Sequence, residues 1–118
     1  MLMNNSDFQD LIDIKLQTTR DICDSIIHSN LTGLNHAAKA EFADMIELFA
    51  VLMLEHAGEF PEDWSSDSLT EIYHHKLPTL LDVEERKNIK DILFTYVDFV
   101  GQALELPNYL DIKSNLAS

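Results

Sequence analysis

The chain has 118 residues, 46% of them hydrophobic, with 21 acidic and 8 basic side chains and a formal net charge of −13. That length and apolar content suit one self-supporting core and exclude a disordered chain. The charge argues against a basic nucleic-acid footprint and against adhesion to anionic membranes.

Three Gly and three Pro are few, which favours long helices over a turn-rich β fold. The single cysteine, Cys23, allows no intramolecular disulfide and fits a reducing compartment. The opening MLMNNSDF has no basic region followed by an apolar stretch, so no signal peptide is read there and a cytosolic location is expected. Residues 1–118 read as a single helical domain, with 1–5 and about 112–118 as candidate disordered tails.

Ser6 followed by Gln9 has the spacing of a capping box, and Asp7 and Asp10 suit the positive end of a helix dipole. Phe8, Leu11, Ile12, Lys15, Thr19, Ile22, Cys23, Ile26 and Ile27 then follow helical spacing to about Ser29. Cys23 falls inside that stripe and is expected to be buried. Asn30, Leu31, Thr32 and Gly33 form a short break. A second helix begins near Leu34 to His36, and so short a connection predicts antiparallel neighbours.

That second helix carries the most hydrophobic stretch of the chain, an unbroken apolar run from Leu48 to Leu54. Apolar positions cover more than half of its circumference, as in a helix packed from several sides. A membrane span is excluded, because roughly 20 apolar residues are needed and Asp44, Glu47 and Glu55 bracket the run. Gly58 suits a C-terminal cap, and Pro61 follows shortly.

The segment from Glu59 to Ser66 is the longest connector and holds Trp64, which is expected to fold back on the core. Ser65 or Ser66 caps a short third helix carrying Leu69, Ile72, Tyr73 and Leu77, and Pro78 is expected to stop it. Asp82 with Glu85 forms a capping box for a fourth helix. Its apolar positions from Ile89 to Leu104 span about 160° of arc, wider than one buried face needs. Gly101 sits mid-helix at a cost of about 1 kcal/mol relative to Ala, which suggests a close crossing. Leu106-Pro107 ends the helix, and a short fifth helix through Tyr109, Leu110 and Ile112 is one of two options for the rest. The other is a mobile tail. The expected fold is an all-α, up-down four-helix bundle-like domain with that short fifth helix at the C-terminus.

Trp64, Ser65, Leu77, Pro78, Glu84, Glu85, Leu93 and Phe99 form a helix–break–helix pattern. It resembles the closing part of several uncharacterised bacterial helical proteins. The resemblance covers about a third of the chain, rests on structural residues, names no family and implies no activity.

Chemistry is sparse. Glu71 and His74 have the Glu-x-x-His spacing of di-iron bundles, but those sites need the motif twice plus two further carboxylates. They are the weak metal candidates, and no cofactor is expected. Cys23 lies in an apolar helical setting, which raises a thiol pKa. There is no glycine-rich phosphate loop. The chain is therefore read as a non-enzymatic protein of bacterial or phage type that works by protein–protein contact. In one version apolar helix faces drive homodimerisation or docking to a protein partner, with Phe94, Tyr96, Phe99 and Val100 as interface candidates. In the other, an acidic surface engages a basic protein by imitating nucleic acid. From Ala40 to His75 there are nine acids and no Lys or Arg, and the candidates there are Glu41, Asp44, Glu55, Glu59, Glu62, Asp63 and Asp67.

Overall fold

Thr19, Cys23 and Ile26 recur at i, i+4 and i+7, and in the computed structural model they form the buried stripe of helix α1 (Asn5–His28). The structure describes residues 5–29 and 34–117. Of the expected tail at 1–5, residues 1–4 lie outside the residues and side chains described, as do the break at 30–33 and the Ser6 side-chain cap, while Asn5 already belongs to α1. The described residues form an all-α, bundle-like fold without strands.

Helix α2 (His36–Ala57) starts at Asn35, whose side chain accepts a 2.7 Å hydrogen bond from the Ala38 amide. It ends at Gly58 with φ of 67°, and the Gly58 amide donates to the Leu54 carbonyl at 3.0 Å. This is the left-handed cap that glycine adopts most readily. Phe42, Ile46, Phe49 and Met53 are fully buried, and α2 packs against α1, the third-helix region and α5. Arg20 of α1 reaches Asp44 and Glu47 of α2, while Lys15, a turn earlier in α1, reaches Glu62 beyond the end of α2. That ordering makes α1 and α2 antiparallel, as the short connection predicts.

A 3₁₀ turn at Pro61–Asp63 leads into α3 (Ser66–Glu71), with Ser65 as its cap. The Ser65 hydroxyl accepts a hydrogen bond from the Ser68 amide at 3.2 Å. Glu59 clamps this corner. Its carboxylate accepts from the Ser65 amide at 2.8 Å, the Ser68 hydroxyl at 2.9 Å and the Ser65 hydroxyl at 3.2 Å.

Pro78 does not end the helical run. A π-helical turn at Ile72–Lys76 follows α3 directly, and α4 (Leu77–Leu80) continues with Pro78 in its first turn. A proline clashes with the carbonyl four residues back and lacks an N–H of its own. The wider π turn accommodates this, because the Leu77 amide reaches back five residues to the Ile72 carbonyl.

Asp82 and Glu85 form the expected capping box of α5 (Val83–Ala103), at 2.8 and 3.1 Å. Ile89, Ile92, Leu93, Tyr96, Val97 and Val100 are its buried stripe. The end of α5 folds back tightly. The Leu106 amide donates to the Gly101 carbonyl, with Glu105 between them at φ of 53°. Helix α6 (Pro107–Ala117) then returns along α5, with Tyr109, Ile112 and Leu116 buried. Of the two options for this segment, the structure shows the helix. It takes up part of the wide apolar arc of α5.

Trp64 is fully buried. Its ring meets Phe49 of α2 edge-on at 5.5 Å, Tyr96 of α5 at 5.7 Å and Tyr109 of α6 in a stacked arrangement at 6.3 Å. Its indole N–H has no hydrogen-bond partner. The Asn108 side chain donates to the Trp64 carbonyl at 2.8 Å, and the Tyr109 hydroxyl donates to the Pro61 carbonyl, so α6 holds the connector down.

Candidate functional site

A largely apolar groove of about 520 Å³ lies between the last two turns of α5 and the start of α6. The tight α5–α6 corner creates it. Gly101 lets the helices approach so closely that an added Cβ would lie 3.0 Å from the Tyr109 Cβ. Pro107 starts α6 at a position where no helical N–H partner is needed. Val97, Gly101 and Tyr109 form the depth of the groove, and Leu106, Pro107 and Leu110 form its lip. Leu110 is 69% exposed, and Leu104, at the same corner, is 57% exposed.

The polar groups of the groove are Asp98, Gln102, Glu105 and Lys113. Lys113 pairs with Asp98 at 2.5 Å and lies 5.8 Å from the Phe94 ring centroid. The hydrogen bond from Lys113 holds the Asp98 carboxyl below its usual range. Buried phenols are shifted the other way: burial pushes both Tyr96 and Tyr109 up, so neither is an acid or base near neutral pH.

The four interface candidates separate. Tyr96 and Val100 are core residues of the monomer, so they offer no surface. Phe94 is half-buried beneath Lys113, beside the groove. Phe99 is 36% exposed and does not line the groove. The leucines at positions 104 and 110 were missed as surface residues. The signal for them is Gly101 followed by Leu-Pro, which marks a close crossing with apolar residues on both sides.

The acidic surface is less continuous than the sequence suggests. Asp44 and Glu47 pair with Arg20, and Glu62 pairs with Lys15, so cations from α1 answer a stretch that has none of its own. Burial is the largest single influence on the Glu62 carboxyl and pushes it up, but the hydrogen bond from Lys15, a backbone hydrogen bond and the Lys15 charge together hold the group below its usual range. Glu59 is the corner clamp. Glu55, Asp63 and Asp67 are exposed, and Glu41 is half-exposed.

Glu71 and His74 are both exposed, with His74 in the π turn. Among the described residues no three His, Cys, Asp or Glu side chains come together as metal ligands. Cys23 is fully buried, and burial pushes its thiol up to about 12. No described helix is long and apolar enough to cross a membrane. Comparison of the chain with protein-family models, with curated proteins and with solved structures yields no match.

Proposed function

We propose that this chain acts by protein–protein contact, and that the α5–α6 groove is the contact surface, occupied by a second copy of the chain. The observation that carries the reading is a projection beside a hollow on one face. Leu110 and Leu104 stand out next to a groove whose depth is set by Gly101. A two-fold dimer needs a self-complementary patch, in which the projection of each copy enters the hollow of the other.

Sedimentation velocity tests this. The chain is expected to dimerise, and Leu110→Asp is expected to yield a monomer with unchanged helical circular dichroism, since Leu110 is largely exposed. A chain that stays monomeric at high concentration refutes the second copy as occupant. So does a dimer that Leu110→Asp leaves intact.

The acidic-surface reading is supported by the exposed Glu55, Asp63 and Asp67, and salt discriminates it. Two copies each carrying −13 repel, so their pairing through apolar contacts tightens as salt screens the charge. Binding of an acidic surface to a basic partner weakens with salt instead.

A further inference from the structure

A second groove, of about 440 Å³, lies at a different place in the fold, between the π turn with α4 and the first half of α5. Its α5 wall is Val83, Arg86, Lys87 and Lys90, which fall at i, i+3, i+4 and i+7 on one helix face. The opposite wall is Tyr73, His74 and Pro78. No carboxylate lines it.

The charges are unusual for this chain. Only 8 of 118 residues are Lys or Arg, and three of those 8 line one groove. The ion pairs found among the described residues take Lys15, Arg20 and Lys113, and leave Arg86, Lys87 and Lys90 without a carboxylate. Arg86 Nε donates to the Asp82 carbonyl at 3.4 Å, but the helix dipole does not account for the position of these cations. Arg86 and Lys87 sit about one turn in from the N-terminus of α5, at the positive end of the dipole, where cations are disfavoured. The apolar members are exposed as well: Val83 is 73% exposed, and Pro78 is exposed beside it.

We propose that this groove binds a small phosphate monoester carrying an aromatic or apolar group. A phosphate monoester brings about −1.5 to −2 charges at pH 7, which suits three cations better than one carboxylate does. The Arg86 guanidinium offers a planar fork to phosphate oxygens, and the two lysines add point charges. Tyr73, Pro78 and Val83 supply apolar walls for the esterified group. The volume lies within the range of small-molecule sites, about 300–1,000 Å³. The charge of −13 repels anions at long range, but at physiological salt that field is screened beyond about 8 Å. Short-range contacts in the groove then decide binding.

Phenyl phosphate is the probe, titrated into ¹⁵N-labelled protein and followed by amide chemical shifts, with inorganic phosphate and benzyl alcohol as parallel arms. Phenyl phosphate is expected to shift the amides of Tyr73, Val83, Lys87 and Lys90 and to bind more tightly than inorganic phosphate. Benzyl alcohol is expected to leave them unmoved. The K87E/K90E variant should weaken phenyl phosphate by about tenfold or more, through loss of two charge-assisted contacts. K39E, a single charge reversal on exposed α2 surface, should leave it unchanged, whereas K87E alone should weaken it. If K87E/K90E does not fold, K87Q removes one charge without reversing it and should still weaken binding. Shifts spread over the whole surface, or equal losses in K39E and K87E/K90E, would overturn the site. Equal binding of inorganic and phenyl phosphate would overturn the aromatic specificity.

Discussion

Replacing Gly101 by Ala sets two effects of known sign against each other. In an unhindered helix interior the change stabilises by about 1 kcal/mol. Here the new Cβ meets the Tyr109 Cβ at 3.0 Å, with the ring atoms Cγ and Cδ2 at 3.7 and 3.6 Å. Carbon atoms prefer separations of about 3.5–4.0 Å, so the contact is short by at least half an ångström or so. The atom in the way is not the end of a flexible chain. Tyr109 Cβ is fixed to the α6 backbone, its ring stacks on Trp64, and its hydroxyl is tied to the Pro61 carbonyl. Relief therefore requires α6 to shift as a body, and overpacking of this kind costs about 1–3 kcal/mol. The net expectation is a loss of about 1 kcal/mol. With an unfolding entropy near 2.1 cal/mol/K per residue, a chain of 118 residues loses about 4 °C in Tm per kcal/mol. Thermal unfolding by circular dichroism is the assay. Gly58→Ala provides the comparison: nothing lies within 4 Å of its added Cβ, so its loss of about 1 kcal/mol comes from the positive φ alone. A rise of about 4 °C for Gly101→Ala would refute the close α5–α6 approach and, with it, the shape of the groove.

Three further expectations follow from the packing. Glu59→Ala removes the acceptor shared by Ser65 and Ser68 and should cost about 1.5–3 kcal/mol in chemical denaturation, whereas replacing the exposed Glu55 should cost less than about 0.5 kcal/mol. Cys23, buried with its thiol pushed up to about 12, should resist iodoacetamide in the folded protein and react fully in denaturant; rapid labelling of the folded state would contradict its placement. Asp98 and Glu62 both titrate below their usual range in the fold. Their contribution is thus fully present above the unfolded pKa and is lost as pH falls through the folded value, so Tm should drop below about pH 4. Lys113→Met should make that drop shallower.

The helices were legible because their signals are local. The Asp82–Glu85 box, the glycine cap at Gly58, and the stripes ending at Ile26 and Val100 all lie within a few turns of the backbone they control. Pro78 misled because the rule that proline ends a helix assumes α geometry throughout, and a single π turn removes the clash. The surface was harder to read. Lys15 and Glu62 are 47 residues apart, and no periodicity indicates that one neutralises the other. Tyr96 and Phe99 look alike as aromatics within one turn of each other. Which one is covered depends on where α1, α2 and α6 lie, and that is decided by tertiary packing.

Trp64 has a consequence for the order in which the molecule forms. Its ring rests on Phe49, which precedes it by 15 positions, and on Tyr96 and Tyr109, which follow it by 32 and 45. During synthesis α1, α2 and the connector emerge before the surfaces that cover the indole. A nascent chain ending before α6 leaves one face of the tryptophan and the Pro61 carbonyl uncovered. Closure of the core is therefore a late, long-range event, and such events are slow and expose apolar surface while they wait. The interval before α6 docks is the period in which this chain is most vulnerable to aggregation.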